Sequence, residues 1–230
     1  MRLFKKRVFW FFCFHIPLLL FFLGVMMIQT LRGIDQLPPN PPAGNRTSDV
    51  SRVKENGFPF SFLVIGDTQG SRRGVRLIKA GLQEGPFSFM VHLGDFAKKP
   101  DRLDHLVALS RLAREVRLSF PVFLVPGNHD IDYSSLRIQD KNRRVTREVF
   151  DSLYGARRIH FVLNQCLFIL AEIDPQRPEG YLGYLREVLE KKEQDVRHIF
   201  IFIHTPPRLF KFVEDVFPEE EAFYTLLETH

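Results

Sequence analysis

The chain has 230 residues, is 45% hydrophobic, and carries 32 bases against 27 acids for a net charge of +5. That length holds one medium-sized domain plus an appendage. Arg2, Lys5, Lys6, Arg7 and Arg32 meet no acid in residues 1–32, and the 27 bases that follow balance the 27 acids. The basic character therefore belongs to the amino-terminal end, and the soluble part presents no nucleic-acid-binding face.

Residues 1–7 are basic, and the run from Val8 to Ile28 is apolar apart from His15, with Pro17 and Gly24 inside it. Its 21 residues reach about 31 Å as a helix, the thickness of a bilayer core. No small-residue cleavage site follows Ile28, which favours an uncleaved signal anchor over a long signal peptide. Positive flanking charge then keeps the amino terminus in the cytoplasm and sends the rest across. The expectation is a single-pass, membrane-anchored protein with its domain on the extracytoplasmic side, periplasmic or extracellular.

Residues 30–57 read as a linker, with Leu37-Pro-Pro-Asn-Pro-Pro-Ala-Gly44 favouring extended spacing. Asn45-Arg46-Thr47 forms a glycosylation triplet of a kind that arises often by chance. From Phe58, strands and helices alternate. A strand over 60–65 precedes a helix near 74–84 with Val75, Ile78 and Leu82 at helical spacing. A strand over 87–93 leads to Asp101 as N-cap and a helix with Leu103, Leu106, Val107, Leu109 and Leu112 down one side. After a strand over 120–126, a polar helical insert (141–154) carries Val145, Val149, Phe150 and Leu153. The runs 159–163 and 166–171 flank Asn164-Gln165 as a hairpin. A helix over 181–192, a strand over 199–203 and a helix begun by Phe223, Leu226 and Leu227 complete the pattern. This alternation predicts an α/β fold with mixed, largely parallel β-sheets and flanking helices.

Four of these strands end in residues able to bind a metal: Asp67 after Gly66, Asp95 after Gly94, Asn128-His129 after Gly127, and His204. In open α/β sheets, ligands sit at the carboxyl ends of strands. Glycine before each aspartate permits the tight turn that lets carboxylates converge. Oxygen and imidazole donors together suit Mn, Fe, Zn or Co. Asp95, in the middle, is the natural bridge between two ions, and His129 beside Asn128 is placed to protonate a leaving oxygen. His92 reads as packed or hydrogen-bonded in its strand. His105, His160 and His198 read as surface or strand residues without a role, and Lys98-Lys99 as a solvated loop. Cys13 lies in the apolar run, so Cys166 has no disulfide partner in the soluble part and reads as a small core residue.

From Phe58 to His230 these motifs resemble the calcineurin-like metallophosphoesterase family, whose pattern runs D-x-H, G-D, G-N-H-[DE], a lone His and G-H-x-H. The resemblance implies a four-layer α/β/β/α sandwich, two divalent or trivalent metal ions, and hydrolysis of a phosphate mono- or diester. Carried over by position, Asp67 and Gln69 hold the first metal, Asp95 bridges, Asn128 and His204 hold the second, and His129 is the acid. Three departures stand out. Gln69 takes the histidine position of D-x-H and offers only a neutral amide oxygen. Lys98 falls where many relatives carry an acid that orients the catalytic histidine. No G-H-x-H follows His204, so the expectation is a fragment or truncated frame. The competing expectation is a degenerate domain that binds metal or a partner without turnover.

Overall fold

Phenylalanine alternation decides the architecture. In the computed structural model, which describes Phe21 and residues 41–55, 59–134, 143–174, 176–177, 179–205 and 220–229, six strands form two three-stranded sheets. Strands β1 (Phe62–Ile65), β2 (Phe89–His92) and β3 (Val122–Leu124) pair in parallel in that order. Strands β4 (Arg158–Leu163) and β5 (Cys166–Ala171) form an antiparallel hairpin, and β6 (His198–Phe202) adds to β5 in parallel. Asn164 (φ 46°) and Gln165 (φ 60°) both take left-handed backbone at the hairpin turn, the geometry that matches strand twist in a two-residue connection.

Because side chains alternate along a strand, Phe89 and Val91 of β2 face one way and Met90 and His92 the other. The first pair meets Phe123, Phe161, Phe168, Leu170 and Phe202 in a core between the two sheets. There Phe89 packs edge-to-face on Phe168 at 5.3 Å and Phe161 stacks on Phe168 at 5.1 Å, contacts worth about 0.5–1.5 kcal/mol each beyond area burial.

Helices cover the outer faces. Helix α2 (Arg72–Gly81), capped by the Ser71 side chain, and α3 (Arg102–Arg111), capped by Asp101, contribute buried Val75, Ile78, Ala108 and Leu109. Helices α5 (Glu179–Glu190) and α6 (Glu220–Glu228) lay Tyr181, Leu185, Leu189, Phe223 and Leu226 on Leu167, Ile169 and Ala171 of β5. The order of layers is helix, sheet, sheet, helix.

Three expectations need correction. The buried stripe of α3 is His105, Ala108 and Leu109, while Leu103 is 41% exposed. His105 is no surface residue. It is fully buried, packs against Phe96 and shares a hydrogen bond of 2.8 Å between its Nδ1 and Tyr154 Oη. In the insert, helix α4 is confined to Arg147–Tyr154, with Thr146 as its N-cap.

A further correction concerns the linker. Residues 41–55 are part of the domain, which divides from the preceding unit between Pro38 and Pro39. Helix α1 (Thr47–Glu55) inserts Val53 into the inter-sheet core. The Gly44 N–H bonds Val122 O at 2.8 Å beside β3. Asn45, only 5% exposed, donates to Leu124 O (2.7 Å) and Ala156 O (2.8 Å) and accepts from Leu124 N (2.9 Å). A glycan on that amide is incompatible with these bonds. The apolar run 8–28 lies outside the described residues, apart from Phe21, which is helical and exposed. Among the described residues no helix is long and apolar enough to cross a membrane.

Two outcomes follow in stability measurements. Asn45→Ala leaves buried Leu124 and Ala156 groups without partners and lowers the unfolding free energy by about 1–3 kcal/mol in urea. Ser51→Ala on the exposed face of α1 changes it by less than about 0.5 kcal/mol; equal midpoints for the two variants would contradict the integration of this segment. Burial holds the His105 pKa down to about 4 from 6.5. The unfolded chain therefore takes up the proton first, so stability is full above about pH 6.5 and falls toward pH 4, at up to ~1.4 kcal/mol per pH unit. His105→Gln makes that pH dependence shallower, read from unfolding midpoints at pH 7.5 and 5.

Candidate metal centre

The parallel sheet does not stop pairing where its strands end. Leu93 N–H bonds Ile65 O (2.7 Å), Asp67 N–H bonds Gly94 O (3.0 Å) and Gln69 N–H bonds Asp95 O (2.8 Å). Val125 N–H bonds His92 O at 2.8 Å on the other side. The loops after β1, β2 and β3 thus leave the sheet in register, with their polar residues at one edge. To do so, Asp67 (φ 54°), Gln69 (φ 48°) and Asp95 (φ 53°) all adopt left-handed backbone. Such conformations cost non-glycine residues about 1–3 kcal/mol each and cluster at functional sites.

Two glycines make the close approach possible. A Cβ on Gly94 would lie 2.6 Å from His204 Nδ1 and 2.7 Å from Gly127 N. One on Gly127 would lie 2.9 Å from His204 Cε1 and collide with the Asp95 carboxylate. His204 arrives from the other sheet, just beyond β6, and its Nδ1 donates to Leu93 O at 2.7 Å. That bond fixes the ring and leaves Nε2 as the donor atom facing the site, as in metal-bound histidines generally.

Asp67, Asp95 and His204 each offer a ligand atom, all within 4.8 Å of one another. Asp95 is buried, and its Oδ1 lies 3.5 Å from His204 Nε2. Asn128 Oδ1 lies 3.2 Å from the same nitrogen. The structure thus brings together four of the five residues expected as ligands. Gln69 joins through its backbone, and its side chain is exposed. His129 donates its backbone N–H to Asp95 Oδ1 (2.9 Å), while its Nε2 lies 3.9 Å from Asp95 Oδ2. Its Nδ1 bonds the Lys98 carbonyl at 2.7 Å. A main-chain oxygen therefore orients this ring, and the Lys98 and Lys99 side chains are exposed as expected.

Asp130, the last residue of the Gly127-Asn-His-Asp box, carries more than the sequence assigned to it. It is fully buried and accepts three backbone N–H bonds: Asp95 N (2.6 Å) and Gly127 N (2.9 Å) on Oδ2, and Ala97 N (2.9 Å) on Oδ1. Burial pushes its pKa up, while the three N–H donors favour the ionised carboxylate that accepts them. Beyond it, the Tyr133 hydroxyl donates to buried Glu172 (2.9 Å), which also accepts from Arg157 (2.6 Å). Arg147 grips Asp174 through two bonds of 2.8 Å. This network ties the loop after His129 to the end of β5. A carboxylate directly after Asn-His was the visible signal for Asp130; the Tyr133 and Arg147 partners lie too far along the chain to be read.

Of the remaining histidines, His160 is exposed and reaches Tyr184 Oη at 3.1 Å, and His198 is exposed at the start of β6. Cys166 is unpaired and half-buried against the core, with its thiol pKa raised by burial.

A sequence profile of the calcineurin-like phosphoesterase family matches residues 60–228. The chain belongs to that family. No curated protein matches the chain. The two-sheet fold and the order of the strand-end motifs agree with this membership. So does the donor chemistry: two carboxylates, one oriented imidazole and one amide oxygen suit a first-row divalent metal.

Replacing Asp130 by Asn presents an amide N–H₂ to backbone donors that need an acceptor. Asp130→Asn should lower stability by about 1–3 kcal/mol and weaken Mn²⁺ binding at least tenfold, read by denaturant unfolding and calorimetric titration of the full chain. Unchanged Mn²⁺ affinity would show that the three bonds do not position Asp95 and Asn128.

Proposed function

We propose that this phosphoesterase domain hydrolyses a phosphate mono- or diester at a two-metal site. The observation that carries the reading is the convergence of Asp67, Asp95 and His204 within 4.8 Å at the ends of β1, β2 and β6. Asp67 and Gln69 would hold one ion, Asn128 and His204 the second, and Asp95 both; Mn, Fe, Zn and Co all suit these donors. Bound there, the ions supply positive charge that polarises the phosphoryl group and acidifies a water.

The chain's own residues do the rest. The Leu93 carbonyl keeps the His204 proton on Nδ1, away from the site. The Lys98 carbonyl does the same for His129, so the Nε2 edge of that ring is the one that faces substrate. Protonated at Nε2, His129 gives its proton to the oxygen of the departing alcohol, a role worth roughly 10²–10⁴ in rate. Its backbone N–H on Asp95 keeps ring and carboxylate in fixed relation.

The reading extends to location. The basic start and the apolar run 8–28 support a single membrane anchor with the domain on the extracytoplasmic side. The even charge balance beyond residue 32 gives no reason to expect a nucleic-acid partner.

The test is metal content of the purified full chain alongside turnover of chromogenic phosphate mono- and diesters with added Mn²⁺. The account expects about two metals per chain, turnover lost with metal in Asp95→Asn, and kcat down roughly 10²–10⁴ in His129→Ala with metal retained. Metal without turnover in the unsubstituted chain would favour a binding module instead. Neither metal nor turnover would contradict both.

A further inference from the structure

His92 closes β2 on the outer face of the sheet, directly below the loop that carries Asp67 and Gln69. It is 3% exposed, and its Nε2 lies 2.8 Å from Oγ1 of Thr68, itself buried. Thr68 stands between the two left-handed residues of that loop, Asp67 and Gln69. Its side chain is thus the inward arm of a segment whose neighbours Asp67 and Gln69 are both exposed. Beneath lies a small apolar cavity of about 30 Å³, lined in part by Thr68, Gly70, His92, Val75 and Ala108. Packing does not fill this space, so polar ties take a larger share in fixing the loop's height above the sheet. Two of those ties are backbone bonds to Gly94 and Asp95. A third is the Arg111 guanidinium on Gly70 O, and a fourth the Ser71 hydroxyl on Thr68 O (2.7 Å). Among the described residues, the Thr68–His92 bond is the side-chain tie that runs from this loop to β2, the strand that leads into Asp95.

We infer that His92 is a positioning residue that, through Thr68, sets the distance between the Asp67 and Asp95 carboxylates. The inference rests on the metal reading above and deepens it. The ring is a suitable strut because burial, with His204 near by, holds its pKa down to about 3. It stays neutral at working pH and adds no charge beneath the ligands. A phenylalanine would fill the same volume without the bond, and a valine in place of Thr68 would keep the loop's shape while removing the hydroxyl.

The experiment titrates Mn²⁺ into the metal-free full chain by calorimetry, for the unsubstituted protein, Thr68→Val, Thr68→Ser, His92→Phe and the double variant Thr68→Val/His92→Phe. Thermal midpoints are recorded on the same samples. Thr68→Val and His92→Phe should each weaken binding about tenfold, as loss of a residue that orients metal ligands does. The double variant should be no weaker than either single, because one bond is lost in all three. Thr68→Ser, which keeps the hydroxyl, should stay within about twofold of the unsubstituted chain. Asn45→Ala serves as a control that lowers stability without touching this bond, and its affinity should be unchanged.

Unchanged affinity in folded Thr68→Val, additive losses in the double variant, or an equal loss in Asn45→Ala would each overturn the inference. Should His92→Phe fail to fold, Thr68→Val against Thr68→Ser decides by itself. No binding by the unsubstituted chain would instead remove the metal reading on which the inference stands, so the two failures are distinguishable.

Discussion

A single carboxylate between two loops holds this structure's active edge together. Asp130 takes the N–H groups of Asp95, Ala97 and Gly127, joining the turn after β2 to the turn after β3 at their sharpest point. Without that acceptor, three buried donors have no partner, a cost that exceeds what the turns gain by local propensity. The candidate ligands Asp95 and Asn128 sit on either side of the clamp, so the same bonds that satisfy the backbone also set their spacing. Glycine at positions 94 and 127 is the complementary requirement, since any side chain there would occupy the space of His204 and Asp95.

The inter-sheet core gives the clamp something rigid to act on. Phenylalanines from both sheets interlock around Phe168, and close packing of that kind transmits small displacements rather than absorbing them. His204 depends on this directly. It belongs to the second sheet, yet hydrogen-bonds Leu93 of the first, so its reach into the site is fixed by how the two sheets pack. The Tyr133–Glu172–Arg157 contacts perform the same coupling on the opposite flank.

Much of this was legible in the sequence, because it depends on local pattern. Apolar runs ended by Gly-Asp or Gly-Asn-His mark strand tips, and Asp101 or Thr146 ahead of an apolar-periodic segment marks a helix start. The order of motifs was enough to identify the family. What escaped reading depends on partners distant in the chain. Asn45 sits in a proline-rich stretch that reads as linker, yet it bonds residues 79 and 111 positions away. His105 interrupts a leucine pattern and reads as polar surface, but it is buried in the core with its Nδ1 bonded to Tyr154. Leucine count misled in the same helix: Leu103 is exposed, and the smaller Ala108 is buried, close against Gly70 of the loop after β1. The orienting group for His129 is a main-chain oxygen, which no residue type reveals.

The central claim is that the three strand ends form one metal site. It is tested most directly by crystals of the full chain soaked in Mn²⁺ and measured for anomalous scattering at the manganese edge. The account predicts anomalous density in contact with the Asp67 and Asp95 carboxylates and with His204 Nε2. A well-ordered site with no anomalous density at saturating Mn²⁺, or density only elsewhere on the surface, would contradict it.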